Sequence, residues 1–345
     1  MAVDGRDVLV VVPCLNEAAN LAGLLDHLLA DTAVREALIV VADGGSTDAS
    51  VSIVEAIAAR EPRVRLLANP DRIQSAAINL AVARFGGDRR WLARIDAHAG
   101  YPPAYVSRLV VAAEATGAVS VVTPMRTVGR GCFQKAAAAA QNSRLGTGGA
   151  AHRGGAGGGW VDHGHHALMA IEAFQGAGGY DEGFSHNEDA ELDLRLAQGG
   201  GRIWMAADLA IDYHPRSDPG SLFRQYLNYG QGRAKTVARH RTPLKIRQLA
   251  PLAVAPAVLG AVLAAPLAAL TPWALAAALP ALAWAAPCLA GGALVGWRTR
   301  EPCAFGSGLA AMIMHLGWSV GYWRWRITGR TPPRRLPFAQ VDVAG

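Results

Sequence analysis

Three short acidic segments carry the residue types and spacing that could do chemistry: Asp43-Gly44-Gly45-Ser46-Thr47-Asp48, Asp96-Ala97-His98 and Asn187-Glu188-Asp189. In the first, Asp43 follows an apolar run and could accept hydrogen bonds from a base or ribose, while the glycines let a ligand approach the backbone. The same residues also read as a turn and a helix N-cap at Thr47 or Asp48. In the second, an Asp and a His at i and i+2 of an extended segment would face one way and could share a divalent cation. Imidazole makes manganese more natural there than magnesium. The competing reading is a loop carboxylate that caps the turn toward Tyr101-Pro102-Pro103. In the third, Glu188 and Asp189 open a helix, where an acid can serve as a general base or simply suit the helix dipole.

Such segments need a scaffold that gathers loop ends. Val8 to Val12, Leu38 to Val41, Val64 to Leu67, Trp91 to Ile95 and Val119 to Thr123 read as strands. Glu17 to Ala30, Asp48 to Arg60, about Gln74 to Phe85 and Ala190 to Gln198 read as helices, with apolar stripes such as Leu21, Leu24, Leu25 and Leu28. This alternation predicts an α/β fold of parallel βαβ units with helices on both sheet faces. Ligands of such sheets gather beyond the carboxyl ends of the strands. Gly146 to Gly159 is glycine-rich and reads as an active-site lid or a plain linker.

The rest of the chain has a different character. No charged residue occurs from Leu249 to Trp297, and a second apolar run covers Cys303 to Trp323. A membrane span needs about 20 apolar residues. The net charge of +6 is concentrated beside these runs, at Arg233, Lys235, Arg239, Arg241, Lys245 and Arg247 before them and Arg324, Arg326, Arg330, Arg334 and Arg335 after them. Basic flanks favour the cytoplasmic side and anionic lipid. No nucleic-acid recognition motif accompanies them, so nucleic acid is not expected as a partner. Pro219 to Arg241 suits a basic amphipathic helix at the interface. Three full spans would carry the last arginines outside, whereas a hairpin broken near Thr271-Pro272, with the third run interfacial or re-entrant, would keep them inside. The start, MAVDGRDVLVVVPCLNE, has too short an apolar run for a signal peptide, so the catalytic part is expected in the cytoplasm. Cys14, Cys132, Cys288 and Cys303 are scattered, which argues against a disulfide framework and fits a reducing compartment.

The order of motifs is more specific than any one of them. Pro13-Cys14-Leu15-Asn16-Glu17, then the segment from Asp43 to Asp48, then Asp96-Ala97-His98, then Gly178-Gly179-Tyr180-Asp181-Glu182, then Asn187-Glu188-Asp189 resembles the inverting family 2 glycosyltransferases of GT-A fold, over roughly residues 8 to 240. The segments from Arg94, His186 and Tyr229 are most similar to bacterial exopolysaccharide transferases of succinoglycan type. The resemblance implies a Rossmann-like nucleotide-sugar domain followed by C-terminal transmembrane helices. It implies Asp43 on the uracil, Pro13 and Glu17 shaping the nucleotide pocket, Arg72 near the nucleotide and Asp96 on the ribose or metal. His98 would stand where the family has the last acid of D-x-D. Asp189, beside Glu188, would be the catalytic base, and Arg233 would meet the diphosphate.

Departures from the family pattern are Gly44 in place of a second Asp, His98 in place of an acid, and Asp162-His163-Gly164-His165-His166 where relatives have G-x-Y-R-R. That His cluster could bind zinc, but its spacing fits no common zinc pattern, and a loop near the acceptor is the favoured reading. The expected domains are 1–218 catalytic, 219–248 basic and interfacial, 249–326 membrane region with two or three helices, and 327–345 basic tail. The expected reaction moves a sugar from a UDP-sugar, UDP-glucose above all, with Mg or Mn, to a polyprenyl-diphosphate-linked saccharide at the lipid bilayer of the inner membrane. Transfer to polyprenyl phosphate itself, or a non-catalytic assembly factor of the same fold, are the alternatives. No G-x-G-x-x-G follows the first strand, which sets a dehydrogenase aside.

Overall fold

The computed structural model describes residues 4–148, 157–244, 246–329 and 335–338. The middle of the glycine-rich loop, Lys245, Arg330, Arg334 and the end of the tail lie outside the described residues. In chain order the strands are β1 Val8–Cys14, β2 Leu38–Asp43, β3 Val64–Ala68, β4 Trp91–Arg94, β5 Ser120–Thr123, β6 Met125–Thr127, β7 Gly159–Val161, β8 His165–Ala170, β9 Ile203–Met205 and β10 Ile211–Tyr213. The helices are α1 Ala18–Leu29, α2 Ser50–Ala58, α3 Gln74–Phe85, α4 Tyr105–Thr116, α5 Cys132–Gln141, α6 Arg144–Thr147, α7 Ile171–Gly176, α8 Glu188–Gln198, α9 Pro219–His240, α10 Ile246–Leu252, α11 Val254–Ala264, α12 Leu279–Thr299 and α13 Ser307–Thr328.

Two compact units share these elements. The sheet unit comprises the described residues up to 125, 157–213 and 335–338. Its larger sheet has eight strands in the order β3-β2-β1-β4-β8-β5-β9-β7. The strands β1 to β4 are mutually parallel, as their β-branched runs predict, but β8 enters antiparallel between β4 and β5. Alternation along β1 sends Val8, Val10 and Val12 to one face, with Leu21, Leu25, Val54 and Leu109 of α1, α2 and α4. Leu9 and Val11 go to the other, with Ile78 of α3, Phe174 of α7 and Leu192 of α8. Burying both faces leaves the strand ends as the place for polar groups.

The helical unit comprises the described residues from 126 to 148 and from 214 to 329. Here α9 and α13 approach backbone to backbone through small residues. A side chain added at Gly230 would put its Cβ 2.0 Å from the Trp318 carbonyl oxygen. Three stretches, Gln248–Ala269, Pro272–Thr299 and Pro302–Thr328, are long and apolar enough to cross a membrane. Contrary to the reading of scattered thiols, Cys132 at the start of α5 and Cys303 just before α13 form a disulfide across a separation of 171 residues. The fold brings their Cα atoms to 5.1 Å, which spacing along the chain does not reveal. Cys14 and Cys288 remain free thiols.

Candidate active site

The site grows from the carboxyl ends of β1, β2 and β3, which lie side by side with Cys14 opposite Asp43 and Asp43 opposite Ala68. Asp43 folds its carboxylate onto its own loop. Oδ2 accepts from the Gly45 and Ser46 amides at 2.9 and 3.0 Å, and Oδ1 accepts from the Ser46 hydroxyl. The turn reading of this segment is therefore satisfied, and it shapes a cradle. The Ser46 hydroxyl also accepts from the Asn16 amide at 2.8 Å, and the Asn16 carboxamide accepts from the Thr47 amide at 2.8 Å. The loops after β1 and β2 are thus laced together. Glu17 donates its amide to the Ser50 hydroxyl at 2.9 Å. Arg72 closes the third side in a left-handed conformation, φ 59°, which is uncommon for a residue with a Cβ. A Cβ on Gly44 would lie 3.4 Å from the Arg72 Cα, so the glycine permits this close approach. Pro13, Glu17, Asp43 and Arg72 are assembled as one group.

The fourth strand does not reach as far as expected. β4 ends at Arg94, so Asp96 and His98 lie in a turn rather than on an extended segment. They engage different partners. His98 Nδ1 lies 3.0 Å from Glu17 Oε1. Asp96 Oδ1 accepts from Gln74 Nε2 at 2.8 Å and from Arg94 Nε at 3.4 Å, and Oδ2 lies 3.5 Å from His165 Nε2. The Asp96 backbone amide donates to the Tyr101 hydroxyl at 2.7 Å. Burial works against ionised Asp96, but Arg94 and His165 outweigh it and its pKa is lowered. Among the described residues no group of three or more His, Cys, Asp or Glu side chains is placed to hold a metal ion.

Behind Asp96 lies a buried polar chain. Arg94, 4% exposed at its side chain, pairs with Asp189 Oδ1 and donates to the Tyr180 hydroxyl at 3.1 Å. His166 is fully buried, with Nδ1 2.6 Å from the Tyr180 hydroxyl and 3.6 Å from Asp189 Oδ1, and Nε2 2.7 Å from Asp193 Oδ1. A carboxylate only accepts, so Nε2 carries a proton. His163 Nδ1 reaches the other oxygen of Asp193 at 2.8 Å. Asp189 and Asp193 are four apart on α8 and so share a face. Asn187, in the left-handed region with φ 67°, turns the chain into that helix. Asn79 fastens the opposite wall, bonding both the Tyr180 amide and its carbonyl at 2.9 Å.

The electrostatics separate the two acids of α8. Burial would raise the pKa of Asp189, but Arg94 first and then His166 pull it far below the usual carboxylate range. Glu188 has the opposite balance: burial and the adjacent Asp189 charge push it up to about 7. Burial also disfavours charged His166, yet Asp193 and Asp189 more than compensate and its pKa is raised. The polar contacts of Asp189 fall on Oδ1, and Oδ2 takes no hydrogen bond among the described residues.

A profile of Glycosyl transferase family 2 matches residues 9–175. The succinoglycan biosynthesis protein ExoA of Rhizobium meliloti (strain 1021) is 52% identical over 316 residues, covering 92% of this chain and 94% of that protein. The chain belongs to glycosyl transferase family 2. Its fold is that of the mannosyltransferase PcManGT from Pyrobaculum calidifontis, solved in complex with GDP-Man and Mn2+, with a TM-score of 0.56 and 21% identity over 91% of this chain and 87% of that one. As a family 2 glycosyltransferase it carries seven of its expected site residues, Pro13, Glu17, Asp43, Arg72, Asp96, Glu188 and Asp189, together with His98, in the sheet unit. Arg233 is on α9 of the helical unit. Arg94, Tyr180 and Asp193 were not among the expected residues, and His165 and His166, expected in a loop, instead open β8 beside Asp96 and Asp193. The legible signals were an arginine within a buried strand and an aspartate one helical turn beyond Asp189.

Proposed function

We propose that this glycosyltransferase inverts the donor's anomeric centre in a single displacement. The donor is a UDP-sugar, UDP-glucose by preference, and the acceptor a polyprenyl-diphosphate-linked saccharide at the cytoplasmic leaflet of the inner membrane, in assembly of a succinoglycan-type exopolysaccharide. The observation that carries the reading is the Arg94–Asp189 pair at the carboxyl edge of the sheet, which keeps Asp189 ionised with Oδ2 open. Asp189 removes the acceptor hydroxyl proton, and that oxygen attacks the anomeric carbon from the face opposite the diphosphate. Glu188 modulates the base: when it is ionised, its negative charge makes Asp189 a stronger proton acceptor. The cradle of Pro13, Glu17, Asp43 and Arg72 receives the nucleotide, and Arg233 is assigned to the diphosphate. The kinship with the ExoA protein supports the pathway class.

A divalent cation, Mg or Mn, belongs to this proposal, as the mannosyltransferase complex contains Mn2+. The donors fit in part. Asp96 Oδ2 faces His165 at 3.5 Å, an imidazole whose pKa burial lowers despite Asp96. His98 is held on Glu17 instead. Asp96 would hold the ion, with His165 or His98 as the nitrogen donor. Bound there, the ion would offset charge on the departing diphosphate.

A screen of nucleotide-sugars for nucleoside diphosphate release, on purified membranes supplied with lipid-linked saccharides, tests the reading. The expected result is release that needs both UDP-glucose and a lipid-linked saccharide and stops in excess chelator. Absence of release with every donor would overturn it.

A further inference from the structure

The three apolar stretches have unlike surroundings. Of the most apolar window in each, 6% is buried in Gln248–Ala269 and 11% in Pro272–Thr299, against 44% in Pro302–Thr328. Val262, Leu263, Trp273 and Leu282 on the first two are more than half exposed. By contrast the second half of α13 is covered by α9, while its start packs on α12 at Gly292 and on α5 at Ala137 and Ala140. A Cβ at Gly317 would lie 2.7 Å from the Phe223 carbonyl oxygen, and one at Gly321 would lie 1.9 Å from that of Leu227. The partners advance together, so the two helices run parallel and would have to cross a bilayer together. α9 carries Arg224, Gln231, Arg233, Lys235 and Arg239. Each charge at the bilayer centre costs about 2.5–3.5 kcal/mol on insertion scales, and α9 holds several. At the other edge of α13, Glu301 pairs with Lys135 of α5 at 3.3 Å.

A second observation comes from the sheet unit alone. The Arg335 amide donates to Asp181 Oδ1 at 3.2 Å, and the Arg335 carbonyl accepts from the Glu182 amide at 3.1 Å. The Phe338 ring packs edge-on against Phe174, centroids 6.0 Å apart. A segment that is part of the sheet unit must share its compartment.

We infer that α13 does not cross the membrane and that the bilayer is crossed only by the apolar hairpin on either side of Thr271. The chain's last residues then lie on the same side as the catalytic sheet. The arrangement keeps Arg298 and Arg300 before α13 and Arg324 and Arg326 at its end on one side, in accord with the bias of basic residues. Among these four, none has to pass through the bilayer.

Two single-cysteine forms of the full chain test this, one with Asp88→Cys in the sheet unit and one with a cysteine appended after Gly345, both with Cys14, Cys132, Cys288 and Cys303 replaced by Ser. The expected result is that both respond alike to a membrane-impermeant maleimide: protected in intact cells and labelled after lysis. Labelling of the appended cysteine alone in intact cells would overturn the inference. If both were labelled in intact cells, the inference would stand and the cytoplasmic location in the proposed function would fall. Should the serine-substituted chain fail to fold, fusions after Gly345 of the unaltered chain give a second measurement. A fluorescent protein active only inside should fluoresce, and an alkaline phosphatase active only outside should be silent. The reverse pattern would overturn the inference.

Discussion

The two units solve opposite packing problems. At the edge of the sheet unit, buried charges are kept because each finds a partner: Arg94 between Asp96 and Asp189, and His166 between Asp193 and Tyr180. In the helical unit the contacts between α9 and α13 rely on the absence of side chains, at Gly230, Gly317 and Gly321. A site built on charge tolerates little change in chemistry but some change in volume. An interface built on glycine tolerates the reverse. Where Asp189 is held ionised, the sequence supplies counter-charges from β4 and β8. Where α9 and α13 lie close, it supplies nothing but backbone.

The largest expected effect tests the charged side of this contrast. Asp189→Asn preserves volume and removes the charge, so turnover should fall by about 100-fold or more, the scale of a general base, while binding of UDP-sugar is retained. Isothermal titration beside a transfer assay measures both, and near-native transfer would reduce Asp189 to a helix-end acid. Next in size is a volume change on the other side. Gly321→Leu drives a side chain into the Leu227 carbonyl and should destabilise the helical unit by about 1–3 kcal/mol, seen as a lower thermal midpoint in detergent. An unshifted midpoint would mean that the contact is dispensable. The smallest effect sharpens the electrostatics. Glu188, pushed up to about 7 by burial and Asp189, is protonated below that pH, which removes a negative charge beside the base. Transfer should therefore decline a few-fold as pH falls through 7. In Glu188→Gln this limb should vanish, leaving a flatter profile at a lower level, and a limb that persists would assign it to another group.

Much of the sheet was legible because β1, β2 and β3 are apolar and β-branched, and their helices carry clear apolar stripes. β8 was not, since it opens with His165-His166, which suggest a loop until Asp193 and Tyr180 are seen to satisfy His166. The acids at 43, 96 and 189 were legible by type and order. Their partners were not, because Arg94 and Asp193 are ordinary residues until the strands set them beside Asp96 and His166. Asp96 and His98 show the converse: their spacing suggested one shared direction, but β4 stops at Arg94 and the turn divides them. The Cys132–Cys303 bond depends wholly on how α5 meets the turn before α13.

The return of Arg335 to Phe338 onto the sheet unit also bears on how the protein is made. The main body of that unit is complete at Tyr213, yet the residues that bond Asp181 and Glu182 follow about 120 positions later. At the usual synthesis rate of about 5–20 residues per second, roughly 6–25 seconds separate the two. During that interval the wall beside Tyr180 lacks its last strip, and the apolar hairpin leaves the ribosome before the strip exists. The stretches long and apolar enough to cross a membrane are therefore synthesised before the catalytic unit can close.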